Sequence, residues 1–213
     1  GALPWAWNAV KPLYVQGMPD EAARRFRALM VLPKLEGLAG PQPPGVDNVL
    51  ASYDQSNTVN LFALGALVAW LRGETATAGM PPIGPRLPAP DVELPKLNSA
   101  EDVSPDVWAL VLRLNAFGDR KQIILASMYR QLAGTPAFLR LLEVALAKAD
   151  LDGAIAANRA RAHEMSRVMA RAITVPPPPR AAEIEASVSA FVDHAIGKMV
   201  TICRAIRVAR GVV

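Results

Sequence analysis

The chain has 213 residues, 52% of them apolar and 20% charged. This is enough apolar material for one large domain or two packed modules, and it excludes disorder over most of the length. The 23 basic and 19 acidic residues give a net charge of +4, and because the basic residues are scattered, no nucleic-acid interface is indicated. The single cysteine, Cys203, excludes an intrachain disulfide and a cysteine-built zinc site and favours a reducing, cytoplasmic compartment.

Proline placement divides the chain into predicted helices. Thirteen of the 19 prolines fall in three clusters, at 41–44, 81–95 and 176–179. Proline breaks helices, whereas the stretches between the clusters are rich in Ala, Leu, Arg and Glu, which are good helix formers. No stretch alternates apolar and polar residues for long enough to predict a strand, so the sequence predicts an all-α protein. The predicted helical stretches are 47–73, 106–135, 137–175 and 180–213.

Capping residues mark the ends of these stretches. We predict that Asp47 caps the first long helix, because aspartate is a favoured N-cap residue. The Ser-Pro pair at 104–105 and the Thr-Pro pair at 135–136 have the N-cap and N1 arrangement of a helix start. Gly73 and Gly211 stand where glycines end helices.

Two pairs of segments predict an internal repeat. The segment 47–73 aligns without a gap to 185–211, with the apolar stripe in register and both ending in Arg-Gly. The segment 3–30 pairs with 135–164, because each has a Pro-initiated apolar helix, an acidic turn and an Arg-rich helix. The order is the same in both halves, which predicts two helical repeats related by an approximate two-fold.

The repeat predicts the domain organisation. Residues 1–78 form the first helical repeat and residues 105–213 the second, joined by a proline-rich linker over 79–104. Six prolines between 79 and 95 predict a stiff, polyproline-like connector there. Because the chain opens on Gly1 and the first repeat has no counterpart to 106–134, we expect that repeat to lack its N-terminal helices.

One helix face is polar where its partner in the repeat is apolar. Asn57 falls on the predicted buried stripe, and it aligns with Ala195 in the other half. Tyr53, Asn57 and Asn60 share this face, with Asp54 on its flank. A buried amide must be hydrogen-bonded, so Asn57 either bridges two helices or lines a ligand pocket.

Missing motifs exclude several functions. The longest apolar run, 61–71, is shorter than the roughly 20 residues that span a bilayer, so it predicts a buried helix and no membrane partner. The two histidines, His163 and His194, lie far apart without carboxylates at ligand spacing, so no metal or other cofactor is expected. Serine-hydrolase, P-loop and dinucleotide-binding motifs are absent.

The last predicted helix carries a run of cations with no acid among them. Cations near a helix C-terminus complement the helix dipole, which is the favoured interpretation of this run. A partner-binding or anion-binding strip is the alternative. The run consists of Lys198, Arg204, Arg207 and Arg210.

Three motifs carry a resemblance to a known family. These are PWAW at 4–7, the Y-x-x-x-N-x-x-N-L helix at 53–61 and SMYRQLAGTPAFLRLL at 127–142. Together with the two repeats and the linker, they resemble the group I, non-stereospecific 2-haloacid dehalogenases. The resemblance implies a pseudo-dimer of the alkylhydroperoxidase-like helical fold, with a cofactor-independent active site between the repeats. It leaves open whether the protein forms a homodimer.

The resemblance also assigns catalytic roles. In the family, an aspartate activates water for direct attack on the halogen-bearing carbon, assisted by an asparagine. The asparagine matches Asn57, while Asn60 stands where the family has a tyrosine. The aspartate position matches Met128, which cannot accept a proton.

The remaining candidate residues follow from this match. Asp54, one turn from Asn57, is the nearby carboxylate that could replace the missing base. Arg130 is a plausible anchor for a substrate carboxylate. The candidate catalytic residues are therefore Asn57 and Asp54, and the candidate substrate-binding residues are Tyr53, Asn60, Ser127, Met128, Tyr129 and Arg130.

Three functions remain open. The first is hydrolysis of small 2-haloalkanoic acids, which the resemblance implies but Met128 opposes. The second is a relative that keeps the pocket without this chemistry and binds an apolar or weakly acidic small molecule. The third is an interaction scaffold that uses the basic C-terminal helix.

Overall fold

The computed structural model describes residues 2–43, 45–88, 92–118 and 124–213, and all regular secondary structure in these ranges is helical, as predicted. Among these residues, no helix has the length and apolar character needed to cross a membrane. The α-helices are α1 (Ala2–Val15), α2 (Met18–Leu29), α3 (Val46–Leu71), α4 (Pro105–Ala116), α5 (Ser127–Leu132), α6 (Pro136–Ala147), α7 (Leu151–Ala170), α8 (Ala181–Ala190) and α9 (Gly197–Arg210), with a π-helical segment (Phe191–Ile196) between α8 and α9.

Helix α3 is the centre of the fold. It contacts α1, α2, α5, α7, α8, the π-helical segment and α9. Its C-terminal half is apolar on nearly all sides, which is typical of a helix surrounded by other elements. Phe62, Ala66 and Leu67 are fully buried, so the apolar run at 61–71 is the buried helix that the sequence predicts.

Most of the predicted helix ends are confirmed, but the start of α3 is not. Ser104 caps α4 by accepting a hydrogen bond from the Val107 amide, and Gly211 ends α9 with a φ of 70°. Asp47 is not the N-cap of α3. Gly45 occupies that position with a φ of 93°, and Asp47 lies in the first turn, where an acid still complements the helix dipole.

Both hydrophobic clusters contain residues from the first and the second half of the chain. The first includes Leu50 from α3 with Leu142 from α6 and Ile202 from α9. The second includes Phe26 from α2 and Met169 from α7. The predicted repeats 1–78 and 105–213 therefore share their cores rather than folding around separate ones. Their boundaries and the approximate two-fold stay predictions.

A buried amide joins three parts of the chain. Asn158 of α7 accepts a hydrogen bond from the Val31 amide at 2.9 Å and donates to the Val31 carbonyl oxygen at 2.7 Å. It also donates to the Thr201 hydroxyl of α9 at 3.0 Å. These bonds satisfy the side chain of Asn158 away from water, and they attach the segment after α2 to the second half of the chain.

The proline-rich linker lies along α2 and α3 rather than standing free between two halves. The Leu87 amide donates to Asp20 Oδ1 at 2.9 Å, and Gln55 Nε2 donates to the Pro88 carbonyl oxygen at 2.5 Å. Gly17, the N-cap of α2 with a φ of 63°, packs directly against the backbone of Gly84. The linker is thus held by specific contacts as well as by its stiffness.

Replacing Gly17 tests the contact between α2 and the linker. A Cβ at position 17 would overlap the Gly84 carbonyl oxygen, and an L residue would also be strained at this φ. Gly17→Ala should therefore lower the free energy of unfolding by clearly more than the roughly 1–2 kcal/mol of the left-handed backbone alone. The measurement is urea-induced unfolding followed by circular dichroism.

Gly37→Ala is the matched control. Gly37 has a similar φ of 77°, but nothing lies within 4 Å of the added Cβ, so this variant reports the backbone strain alone. Equal losses of stability in the two variants would show that the linker is not tightly packed on α2.

Candidate functional site

A cavity of about 90 Å³ lies between α3, the turn that leads into α5, and the π-helical segment. Tyr53 and Asn57 line it from α3, and Ser127 and Met128 line it from α5. These four residues are among the predicted site residues, and the structure brings them to one cavity. The remaining lining residues are Ile124, Leu125, Ala126, Phe191, Ala195, Ile196 and Met199.

The polar side chains of the cavity are neutral. The Tyr53 hydroxyl is hydrogen-bonded to Ser127, and burial raises the pKa of Tyr53, an effect that this hydrogen bond and the nearby Arg130 oppose in part. Asn57 is half-buried rather than fully buried. Because no carboxylate, imidazole or ammonium group belongs to the described lining, the cavity offers hydrogen bonds without an evident general base.

Asn115 of α4 shapes one wall of the cavity. Its Oδ1 accepts a hydrogen bond from the Ala126 amide at 3.0 Å, and its Nδ2 donates to the Ile124 carbonyl oxygen at 3.3 Å. Lys198 Nζ in turn donates to the Asn115 carbonyl oxygen at 2.6 Å. Sequence reasoning missed Asn115, although a buried amide on an otherwise apolar helix face is a usable signal.

The opposite wall is π-helical. The Gly197 amide donates to the Val192 carbonyl oxygen five residues earlier, and a Cβ at Gly197 would lie 2.8 Å from that oxygen. The wide turn therefore depends on glycine. It places Ala195 and Ile196 against the cavity and leaves Phe191 partly exposed at its edge. Single π-helical turns are frequent at functional sites.

Three predicted substrate-binding residues do not line the cavity. Asn60 lies about 4.5 Å further along α3 than Asn57 and faces α1. There its side chain accepts a hydrogen bond from the Tyr14 hydroxyl at 2.7 Å. Tyr129 is fully buried in the first hydrophobic cluster. Arg130 Nε donates to the Asn98 carbonyl oxygen of the linker at 2.8 Å, so it is held beside the cavity rather than in it.

Asp54 also lies outside the cavity. Arg204 Nη1 and Arg207 Nη1 donate to its Oδ2 at 3.1 and 2.6 Å, and Arg27 Nη2 donates to its backbone carbonyl oxygen at 2.8 Å. The side chain is 98% buried among these guanidinium groups. The structure thus separates Asp54 from Asn57, although the two residues are one turn apart on α3.

The cations of α9 pair with other elements rather than only with the dipole of their own helix. Arg210 binds Asp47 through two hydrogen bonds of 2.7 and 2.9 Å, while Arg204 and Arg207 bind Asp54. Asp47 and Asp54 are seven residues apart and therefore lie on one face of α3. These ion pairs hold α9 antiparallel to α3.

No protein-family model matches the chain, and no curated protein matches it significantly in sequence. In the part of the chain that the structure describes, no group of three or more His, Cys, Asp or Glu residues could hold a metal ion. Because no family model and no curated protein matches, the resemblance to the group I dehalogenases stays a prediction.

Removing the charge of Asp54 should strongly destabilise the protein. Asp54→Asn keeps the volume of the side chain but leaves three neighbouring guanidinium groups without their carboxylate. Losing one partner of a buried ion pair costs about 3 kcal/mol or more, and we expect a loss of this size for Asp54→Asn. The measurement is the free energy of unfolding in urea.

Glu143→Gln is the matched control for Asp54→Asn. Glu143 pairs with Arg113 at 2.6 Å, but the side chains of Glu143 and Arg113 are 29% and 57% exposed, so we expect a loss below about 1 kcal/mol. If both variants lose the same stability, the buried cluster does not hold α9 on α3.

Alkaline pH should destabilise the protein through its tyrosines. All three are described, and the pKa of each is raised: burial raises that of Tyr14 to about 12, and it also raises those of Tyr53 and Tyr129. The unfolded chain therefore loses these protons first, so the stability they contribute is complete below pH 10 and falls as the pH rises from 10 towards 12.

Spectrophotometric titration measures this effect. At pH 10, the ordinary tyrosine pKa, the native protein should show clearly less tyrosinate absorbance than the denatured protein. Equal absorbance of the two states at this pH would contradict the burial of the three hydroxyls.

Proposed function

We propose that the protein binds a small molecule in the cavity between α3, α5 and the π-helical segment, and that it does so without hydrolysing it. The observation that carries this proposal is the lining itself. Tyr53, Asn57 and Ser127 bring neutral hydrogen-bonding groups to an otherwise apolar cavity. A few placed polar groups in an apolar lining are typical of ligand sites.

The size and chemistry of the cavity limit the ligand. A volume of about 90 Å³ equals that of roughly three water molecules, so the ligand has only a few heavy atoms. Burying an ionised carboxylate against uncharged walls is costly. The cavity therefore suits an uncharged or weakly acidic molecule with one polar end facing Tyr53, Asn57 and Ser127.

Hydrolysis of 2-haloalkanoic acids is the second candidate function. It is favoured by the gathering of Tyr53, Asn57, Ser127 and Met128 around one cavity, since these are positions that the family resemblance assigns to the site. The attack of water on carbon needs a general base, however, and a thioether cannot supply one. Asp54, the substitute suggested by the sequence, is engaged by arginines on another side of α3.

Halide release distinguishes the two candidates. The unmodified protein should release no halide from racemic 2-chloropropionate above the rate of the uncatalysed reaction. Met128→Asp places a carboxyl group in the cavity, where desolvation raises its pKa towards that of a useful base, so this variant should gain measurable release. Asn57→Ala, added to Met128→Asp, should abolish the gain. Ion chromatography of the released halide is the measurement.

Met199→Asp is the matched control for position. Met199 lines the same cavity from α9 and is as deeply buried as Met128, so both variants carry a buried acid. Circular dichroism checks that each is folded. Equal gains from both variants would show that position 128 has no special role, and turnover by the unmodified protein would overturn the non-hydrolytic proposal.

Binding is tested on the unmodified protein. Methyl spectra of ¹³C-labelled methionine report on the cavity through Met128 and Met199, while the exposed Met80 serves as an internal control. Racemic 2-chloropropionamide should shift the first two signals saturably and more strongly than 2-chloropropionate does. If neither compound shifts these signals, the cavity is not a binding site for ligands of this class.

A further inference from the structure

Three arginines converge on one carboxylate away from the cavity. Arg27 comes from α2, Arg204 and Arg207 come from α9, and all three lie within 4 Å of Asp54 Oδ2. Asp54 is the one acidic residue paired with any of them among the described residues. The cluster therefore carries a surplus of two positive charges.

Much of the hydrogen-bonding capacity of the cluster is unused. A guanidinium group has five N–H donors, yet within the described residues Arg204 makes a single hydrogen bond, through Nη1 to Asp54. Arg27 donates through Nη2 to the Asp54 backbone, and its buried Nε makes no hydrogen bond but lies 3.8 Å from Asp54 Oδ2. The three arginine side chains are 17–21% exposed, so the edge of the cluster reaches solvent.

The guanidinium groups also repel one another. Burial lowers the pKa of Arg27, the Asp54 carboxylate raises it, and the positive charges of Arg204 and Arg207 lower it again. The single carboxylate thus does not outweigh burial and repulsion, and the pKa of Arg27 is lowered. An additional anion at the exposed edge would stabilise the charged form of Arg27.

We propose that Arg27, Arg204 and Arg207 form a binding site for a phosphate group. A phosphate monoester carries a charge of about −1.5 to −2 at pH 7, which matches the surplus of two positive charges, whereas a carboxylate neutralises only one. Arg27 and Arg204 come from different helices, both side chains reach solvent in part, and several phosphate oxygens can accept hydrogen bonds from both. This site is independent of the cavity and of the proposed function.

Isothermal titration calorimetry with inorganic phosphate tests the site. The unmodified protein should bind phosphate saturably at constant ionic strength, with sodium chloride in the reference titration. Arg204→Gln should weaken binding at least about tenfold, because it removes a charged donor of the site. It should not unfold the protein, since Arg207 still pairs with Asp54 and the repulsion on Arg27 decreases.

Arg113→Gln is the control for a general loss of positive charge. Arg113 lies on α4 and pairs with the partly exposed Glu143, outside the cluster, so its replacement should leave phosphate binding unchanged. Equal weakening by Arg204→Gln and Arg113→Gln, or no saturable binding to the unmodified protein, would overturn the proposal.

A second titration, with phenyl phosphate, distinguishes the source of the phosphate group. Affinity within about threefold of that for inorganic phosphate would assign the site to a phosphate monoester, because the ester then fits at the exposed edge. Binding of inorganic phosphate alone would assign it to the free ion. Either result supports the site, while failure of both probes to bind would overturn it.

Discussion

The packing of α9 against α3 is the constraint on which the rest of the structure depends. Two carboxylates of α3, Asp47 and Asp54, bind arginines of α9. Between the same two helices, Cys203 of α9 donates to the Leu50 carbonyl oxygen at 3.2 Å. Buried ion pairs add little net stability compared with apolar contacts, but they penalise any other register, because a shift would leave a charge buried and unpaired. The register of α9 in turn positions Met199 and the π-helical segment against the cavity.

The cavity lies beside α3, between two local irregularities of the backbone. On one side, Asn115 hydrogen-bonds to the backbone of residues 124 and 126, which are not helical. On the other side, Gly197 permits the wide π-helical turn. Each irregularity costs regular hydrogen bonding, and both border the same small space. Such local departures from regular structure are expected at functional sites.

Helix α3 presents different chemistry on two sides. Towards α5, it offers the neutral side chains of Tyr53 and Asn57, and towards α2 and α9 it offers Asp54 within a surplus of positive charge. The two proposed ligands therefore differ: an uncharged small molecule for the cavity and a phosphate group for the arginine cluster. Residues of α3 belong to the cavity and to the arginine cluster, so a change in the position of α3 would affect both.

The sequence predicts the helices, because proline placement, caps and helix-forming composition act within a few residues. It also pointed to Tyr53, Asn57, Ser127 and Met128, which the structure brings to one cavity. It did not determine which neighbour each polar side chain of α3 meets. Asn60 turns to Tyr14 and Asp54 to the arginines of α2 and α9, as only the tertiary structure shows. Helical period places residues on a face, but the partner across that face comes from residues as many as 163 positions away.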